Sequence, residues 1–122
     1  MITLTPAIVA KAALEAHAQG RLCAQNFSGE RYEPVNFYRH AQKPGVMCAV
    51  GAALPDDEAW KAHYPASDSA NLHFPTPEDA KKVDAIQRAH DHWATSIEYP
   101  QDGDPEELEQ EFLNLCRSHL ND

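Results

Sequence analysis

Seven histidines, at positions 17, 40, 63, 73, 90, 92 and 119, and three cysteines, Cys23, Cys48 and Cys116, are the side chains of this 122-residue chain best equipped for chemistry. Imidazole and thiolate are the donors that zinc prefers, and three or four of them must converge on one ion. The close pairs that announce such a site, Cys-x-x-Cys or His-x-x-x-His, are absent. Cys116 and His119, three positions apart on an expected helix, can share a face and are the best local metal pair, a weak one. They would need His40, Cys48, His63 or His90 brought in by the fold. His90, Asp91 and His92 are consecutive, so on a helix they should point to three different sides. No metal or other cofactor is expected on this reading.

Cys48 and His90 are the candidate catalytic residues, since a thiol beside an imidazole is the minimal activated nucleophile. His90 falls on the apolar stripe of its expected helix, next to Asp91. Burial could tune it as a general acid or base, while a hydrogen-bonded core histidine would give the same pattern. Gly51, between small residues, offers far fewer backbone donors than a phosphate-cradling loop requires.

Charge gives a second kind of candidate. The chain carries 19 acidic and 10 basic residues, a formal net charge of -9. Residues 1–97 hold eleven acids and nine bases, whereas residues 98–122 hold eight acids and Arg117 alone. Such a segment repels a polyanion at short range, so direct binding of nucleic acid is not expected. An acidic face can instead meet a basic protein surface, including one that ordinarily takes a phosphate backbone. Asp102, Asp104, Glu106, Glu107, Glu109 and Glu111 would form that binding face; the same pattern also suits a solvated helix that complements its own dipole.

Three repeats of one start signal position these residues. Thr5-Pro6, Thr76-Pro77 and Asp104-Pro105 each place a side-chain oxygen ahead of a proline, which predicts three helix starts. Asp79 and Glu107 follow three residues after the second and third caps, where an acid suits the helix end. The first helix should run from Pro6 to about Ala18 and stop at Gly20, with Leu4 stapled on Val9. Its shallow face should comprise Ile8, Ala12 and Ala16 with Val9 and Ala13 beside them. The second should run from Pro77 to near Ala94 on a stripe of Val83, Ile86, His90 and Trp93. The third should run from Pro105 to about Leu120 on Leu108, Phe112, Leu115 and Cys116. Between the first two, a short β-hairpin is expected near residues 37–48, turning at Pro44-Gly45. A short buried segment from Ala49 to Leu54 and a short helix around Trp60, from Asp56 to His63, should follow. Tyr64 to Pro75 reads as a loop, and so does Tyr99 to Gly103.

The expected fold is therefore mainly α, a single small globular domain over residues 1–122. Its longest uncharged apolar run, Val46 to Pro55, is half of what a membrane-spanning helix needs. Three widely spaced cysteines and a start without signal-peptide character predict reduced thiols in a cytoplasmic protein.

Cys48-Ala49-Val50-Gly51-Ala52-Ala53-Leu54-Pro55-Asp56 resembles a Cys-Ala-Ile-Gly-x-Leu-Ile-Pro-Asp motif of short bacterial and phage proteins. The upstream Tyr38-Arg39 and the downstream Ile86-Gln87-Arg88-Ala89-His90-Asp91 are similar to further segments of that group. Together the matches span about a quarter of the chain. Ala53 departs from the bulkier residue of the pattern. The resemblance implies a phage or bacterial origin and a shared core, and carries no activity with it. The resulting expectation is an acidic, non-enzymatic protein-binding module, such as a phage- or mobile-element-encoded inhibitor of a nucleic-acid-handling defence complex. The alternative is a small metal- or Cys/His-dependent enzyme. Neither membrane nor nucleic acid is an expected partner, and a homodimer is left open.

Overall fold

All three oxygen-proline signals start helices. The Thr5 hydroxyl accepts the Ile8 N–H at 3.2 Å, the Thr76 hydroxyl that of Asp79 at 3.1 Å, and the Asp104 carboxylate that of Glu106 at 3.0 Å. Each satisfies a donor that the first helical turn leaves without an intrahelical partner. A computed structural model describes residues 1–26 and 45–121. Along them run strand β1 (Ile2–Thr3), helix α1 (Pro6–Ala18), helix α2 (Asp56–Lys61), strand β2 (Leu72–His73), helix α3 (Pro77–Glu98) and helix α4 (Pro105–Ser118), with short 3-10 turns between them. The fold is mainly helical. No helix of the described residues is long and apolar enough to cross a membrane.

Helix α1 ends as glycine dictates. Gly20 takes φ 66, its N–H donates to the His17 carbonyl, and the Arg21 N–H reaches back to Ala16 at 2.9 Å. This is the paired closure that a left-handed residue after the last turn permits. The buried face of α1 is Pro6, Val9, Ala10, Ala13 and Ala16. Ile8, expected in that face, is 46% exposed, because a stripe centred on positions 9, 13 and 16 turns it aside.

Helix α3 runs four residues beyond its expected end, to Glu98. Pro100 supplies the stop. Val83, Ile86, His90 and Trp93 are all buried, as their spacing predicts. Helix α4 buries Leu108, Phe112, Leu113 and Cys116, and α3 packs against both α4 and α1. Helix α2 is shorter than expected, and it buries Ala59 while Trp60 is 51% exposed.

The region read as a loop from Tyr64 to Pro75 contains β2, which pairs in parallel with β1: Ile2 opposite Leu72 and Thr3 opposite His73. The Leu4 N–H extends the ladder to the His73 carbonyl at 2.9 Å and sets the Leu4 side chain in the core. Strands of two residues carry too little alternation to be legible in sequence. The first arm of the hairpin expected near residues 37–48, with Tyr38, Arg39, His40 and Pro44, lies outside the described residues. Its second arm is bridged in parallel to residues 21–23: Met47 pairs with Leu22, donating to the Arg21 carbonyl and accepting from the Cys23 N–H. From Cys48 the chain winds through a tight turn to Leu54, with the Ala52 N–H donating to the Cys48 carbonyl at 3.0 Å.

Candidate functional site

The bridge between Leu22 and Met47 puts the residues that follow each of them side by side. The Cys23 and Cys48 sulfurs lie 3.5 Å apart, both in the core. Against this pair α3 presents three polar side chains in a row, Gln87, His90 and Asp91, from adjoining turns of one face. The Gln87 amide faces both ways. Its Oε1 accepts the Val50 N–H at 2.8 Å, and its Nε2 donates to Asp91 Oδ1 at 2.9 Å. His90 Nδ1 meets the same carboxylate oxygen at 3.1 Å, while its Nε2 accepts the Ala24 N–H at 3.4 Å. These partners assign the ring proton to Nδ1. The Asp91 carboxylate is therefore turned toward His90 rather than to a side of its own. Adjacent helical positions diverge at Cβ, but a short carboxylate can still fold back along the helix.

Cys48 Sγ, a His90 ring nitrogen and an Asp91 oxygen lie within 4.8 Å of one another, the one such convergence of three donors among the described residues. Around them Trp93 and Phe112 stack at 5.7 Å and each meets the His90 ring in a T-shaped contact, at 6.0 and 5.8 Å. Cys48, 1% exposed, and His90, 0%, are enclosed, while the Asp91 side chain, 15% exposed, reaches solvent at the edge of the cluster.

Burial sets the electrostatics. It pushes the Cys48 thiol well above the usual thiol range, with the Cys23 contact adding to the effect. The Cys116 thiol, buried under α4, is pushed up to about 12. For His90, burial disfavours the imidazolium, but the Asp91 hydrogen bond and nearby negative charge outweigh it, so the net direction is upward. A protonated, enclosed thiol is the opposite of an activated nucleophile, whose pKa must fall. What the cluster can do is exchange a thiol proton, released to solvent, for a cation, with Cys48, His90 and Asp91 as donors.

The other candidates are placed separately. Cys116 and His119 are joined through the backbone, the His119 N–H donating to the Cys116 carbonyl, and neither enters the three-donor group. His40 lies outside the described residues, and His63 is exposed at the end of α2. In the acidic set, Asp104 is the cap of α4, and Glu109 Oε2 meets His17 Nε2 at 2.8 Å, fastening α4 to α1. Glu106, Glu107 and Glu111 remain exposed on α4, and none of the three forms an ion pair among the described residues. The side chain of Asp102 is not described.

Sequence reasoning named Cys48 and His90 with Asp91 next to it, though it sent Asp91 to another side of the helix, and it missed Gln87 and Cys23 as their neighbours. Gln87 and Asp91, at i and i+4 around His90, carried the available signal. For Cys23 nothing short of the bridge to Met47 could have supplied it. Compared with protein-family models, with curated proteins and with solved structures, the chain matches none, and its functional reading rests on the geometry just described.

Proposed function

We propose that this protein is a non-enzymatic binding module that docks the acidic first turns of α4 on a basic protein surface. The observation that carries the reading is the exposure of Glu106, Glu107 and Glu111 on one side of α4, in a segment of the chain whose single base is Arg117. These carboxylates have no neutralising partner among the described residues, so their field reaches outward for about one Debye length, roughly 8 Å at physiological salt. Surfaces that bind nucleic-acid phosphates have the complementary sign, and the partner class proposed is the basic face of a nucleic-acid-handling complex of bacterial defence. In the narrower form of this proposal, the module is an inhibitor encoded by a phage or mobile element. Asp104 and Glu109 serve the fold, which leaves Glu106, Glu107 and Glu111, together with Asp102, to act.

The test is capture from a bacterial lysate fraction enriched on heparin, at low and at high salt. Capture should occur at low salt and fail at high salt. Lysine in place of Glu106, Glu107 and Glu111 should weaken it roughly tenfold or more, at about 0.5–1 kcal/mol for each charge, with unchanged circular dichroism. Capture that survives the triple reversal rules this face out.

The convergence of Cys48, His90 and Asp91 favours a second reading, a small Cys/His-dependent enzyme or metal protein. Its nucleophilic form requires a thiolate, which burial opposes at Cys48. Its metal form is developed below.

A further inference from the structure

We infer that Cys48, His90 and Asp91, with Cys23 alongside, form a buried site for a zinc-like divalent metal ion. The donors come from two parts of the fold that the core holds in register, the Leu22–Met47 bridge and the middle of α3. Bonds of about 2.0–2.3 Å to a tetrahedral ion place its ligand atoms roughly 3.3–3.8 Å apart. The three-donor group closes within 4.8 Å and the two sulfurs stand 3.5 Å apart; His90 Nδ1 and Asp91 Oδ1, joined by a 3.1 Å hydrogen bond in the metal-free chain, would be bridged by the ion once the Nδ1 proton has left. Shifts of the order of an ångström, within side-chain rotation, would complete the shell.

The charges also balance. A dication held by the Cys48 thiolate, the Asp91 carboxylate and a neutral imidazole, with Cys23 remaining a neutral thiol beside them, makes a neutral unit, which a buried site accepts far more readily than a bare charge. Binding forms metal–sulfur, metal–nitrogen and metal–oxygen bonds and releases the Cys48 thiol proton to solvent, while the His90 ring proton moves from Nδ1 to Nε2 and displaces the 3.4 Å hydrogen bond from the Ala24 N–H; no electrons move. Because the Cys48 thiol must lose its proton to ligate, affinity should climb with pH. Gln87 supplies support around the ligands: its Nε2–H fixes Asp91 Oδ1, and its Oε1 holds the Val50 N–H, two residues beyond the sulfur. Metal sites depend on such outer hydrogen bonds to aim their ligands. A thiol, an imidazole and a carboxylate select zinc or cobalt over magnesium or calcium, which take oxygen shells.

The experiment is a cobalt(II) titration of the full chain in a non-thiol reductant. A visible d–d band and a near-ultraviolet sulfur-to-cobalt band, saturating at one equivalent and displaced by zinc, are expected. Cys48→Ser should abolish the sulfur band and Cys116→Ser should leave it intact. Asp91→Asn and His90→Gln should each weaken binding at least tenfold. Absence of stoichiometric binding by the natural chain overturns the site, and so does a sulfur band that survives Cys48→Ser. Should Cys48→Ser not fold, X-ray absorption of the zinc-loaded natural chain decides. A sulfur shell near about 2.3 Å with nitrogen or oxygen near about 2.0 Å supports the site, and an all-oxygen shell overturns it.

Discussion

Replacing Gln87 with methionine tests whether the polar row on α3 holds the Cys48 turn in place. The side chain is 2% exposed and makes two bonds, accepting from the Val50 N–H at 2.8 Å and donating to Asp91 Oδ1 at 2.9 Å. Methionine preserves the volume and removes both. A buried backbone donor left without an acceptor costs about 1–3 kcal/mol. The bond to Asp91, which is partly reached by solvent, adds about 1 kcal/mol, for a total of about 2–4 kcal/mol. Against a typical stability of about 5–15 kcal/mol this is a large fraction, equivalent to a drop in Tm of the order of 10 °C. Urea unfolding of metal-free protein, followed by tryptophan fluorescence and circular dichroism, gives the number. Combining Gln87→Met with Asp91→Asn should cost less than the sum of the two, with a coupling of about 1 kcal/mol, because both act on one network. A loss below about 0.5 kcal/mol for Gln87→Met, or strict additivity, would refute the idea that this amide ties the turn to the helix.

Three further outcomes are expected. His90 has a folded pKa raised above its ordinary value of 6.5, so its contribution to stability is complete below that value and is lost as pH rises through the folded pKa. The stability difference between the natural chain and His90→Gln should shrink as pH rises above 6.5 in metal-free protein; parallel profiles would contradict this. All three cysteines are buried, and at about 12 the Cys116 pKa lowers its thiolate fraction roughly a thousandfold, so an aromatic disulfide reagent should label no thiol in the native state and three in denaturant. Fast native labelling of any one would sink that account. Gly20 sits at φ 66 with nothing within 4 Å of where a Cβ would stand, so Gly20→Ala should cost about 1 kcal/mol of backbone strain and no clash. A neutral result in thermal unfolding would show that the end of α1 relaxes.

The helices were legible because their signals are local. An oxygen-bearing cap, a proline in the first turn and a three-four spacing lie within a few residues of one another, and the stripe of Val83, Ile86, His90 and Trp93 emerged buried as read. What escaped depends on contacts distant in sequence. The pairing of β1 with β2 joins segments too short to alternate, and Ile8 was misassigned because two adjoining faces of an alanine-rich helix differ little in hydrophobicity. The cluster was half legible. His90 stood out on an apolar stripe and Cys48 in an apolar run, but their meeting depends on the Leu22–Met47 bridge, which no spacing encodes. The acidic set was over-read: Asp104 and Glu109 are bound to the fold itself, one as a cap and the other through His17.

The ladder between Ile2–Thr3 and Leu72–His73 spans about seventy positions, and His17 waits still longer for Glu109. A ribosome extending the chain at about 5–20 residues per second therefore leaves the first strand unmatched for roughly 4–14 s. Through that interval α1, only 13 residues long, is too short to persist by itself. Vectorial synthesis thus cannot build this molecule layer by layer from its start. Its amino-terminal edge locks late, and a nascent product halted before α4 would offer an uncovered alanine-rich surface to chaperones and proteases.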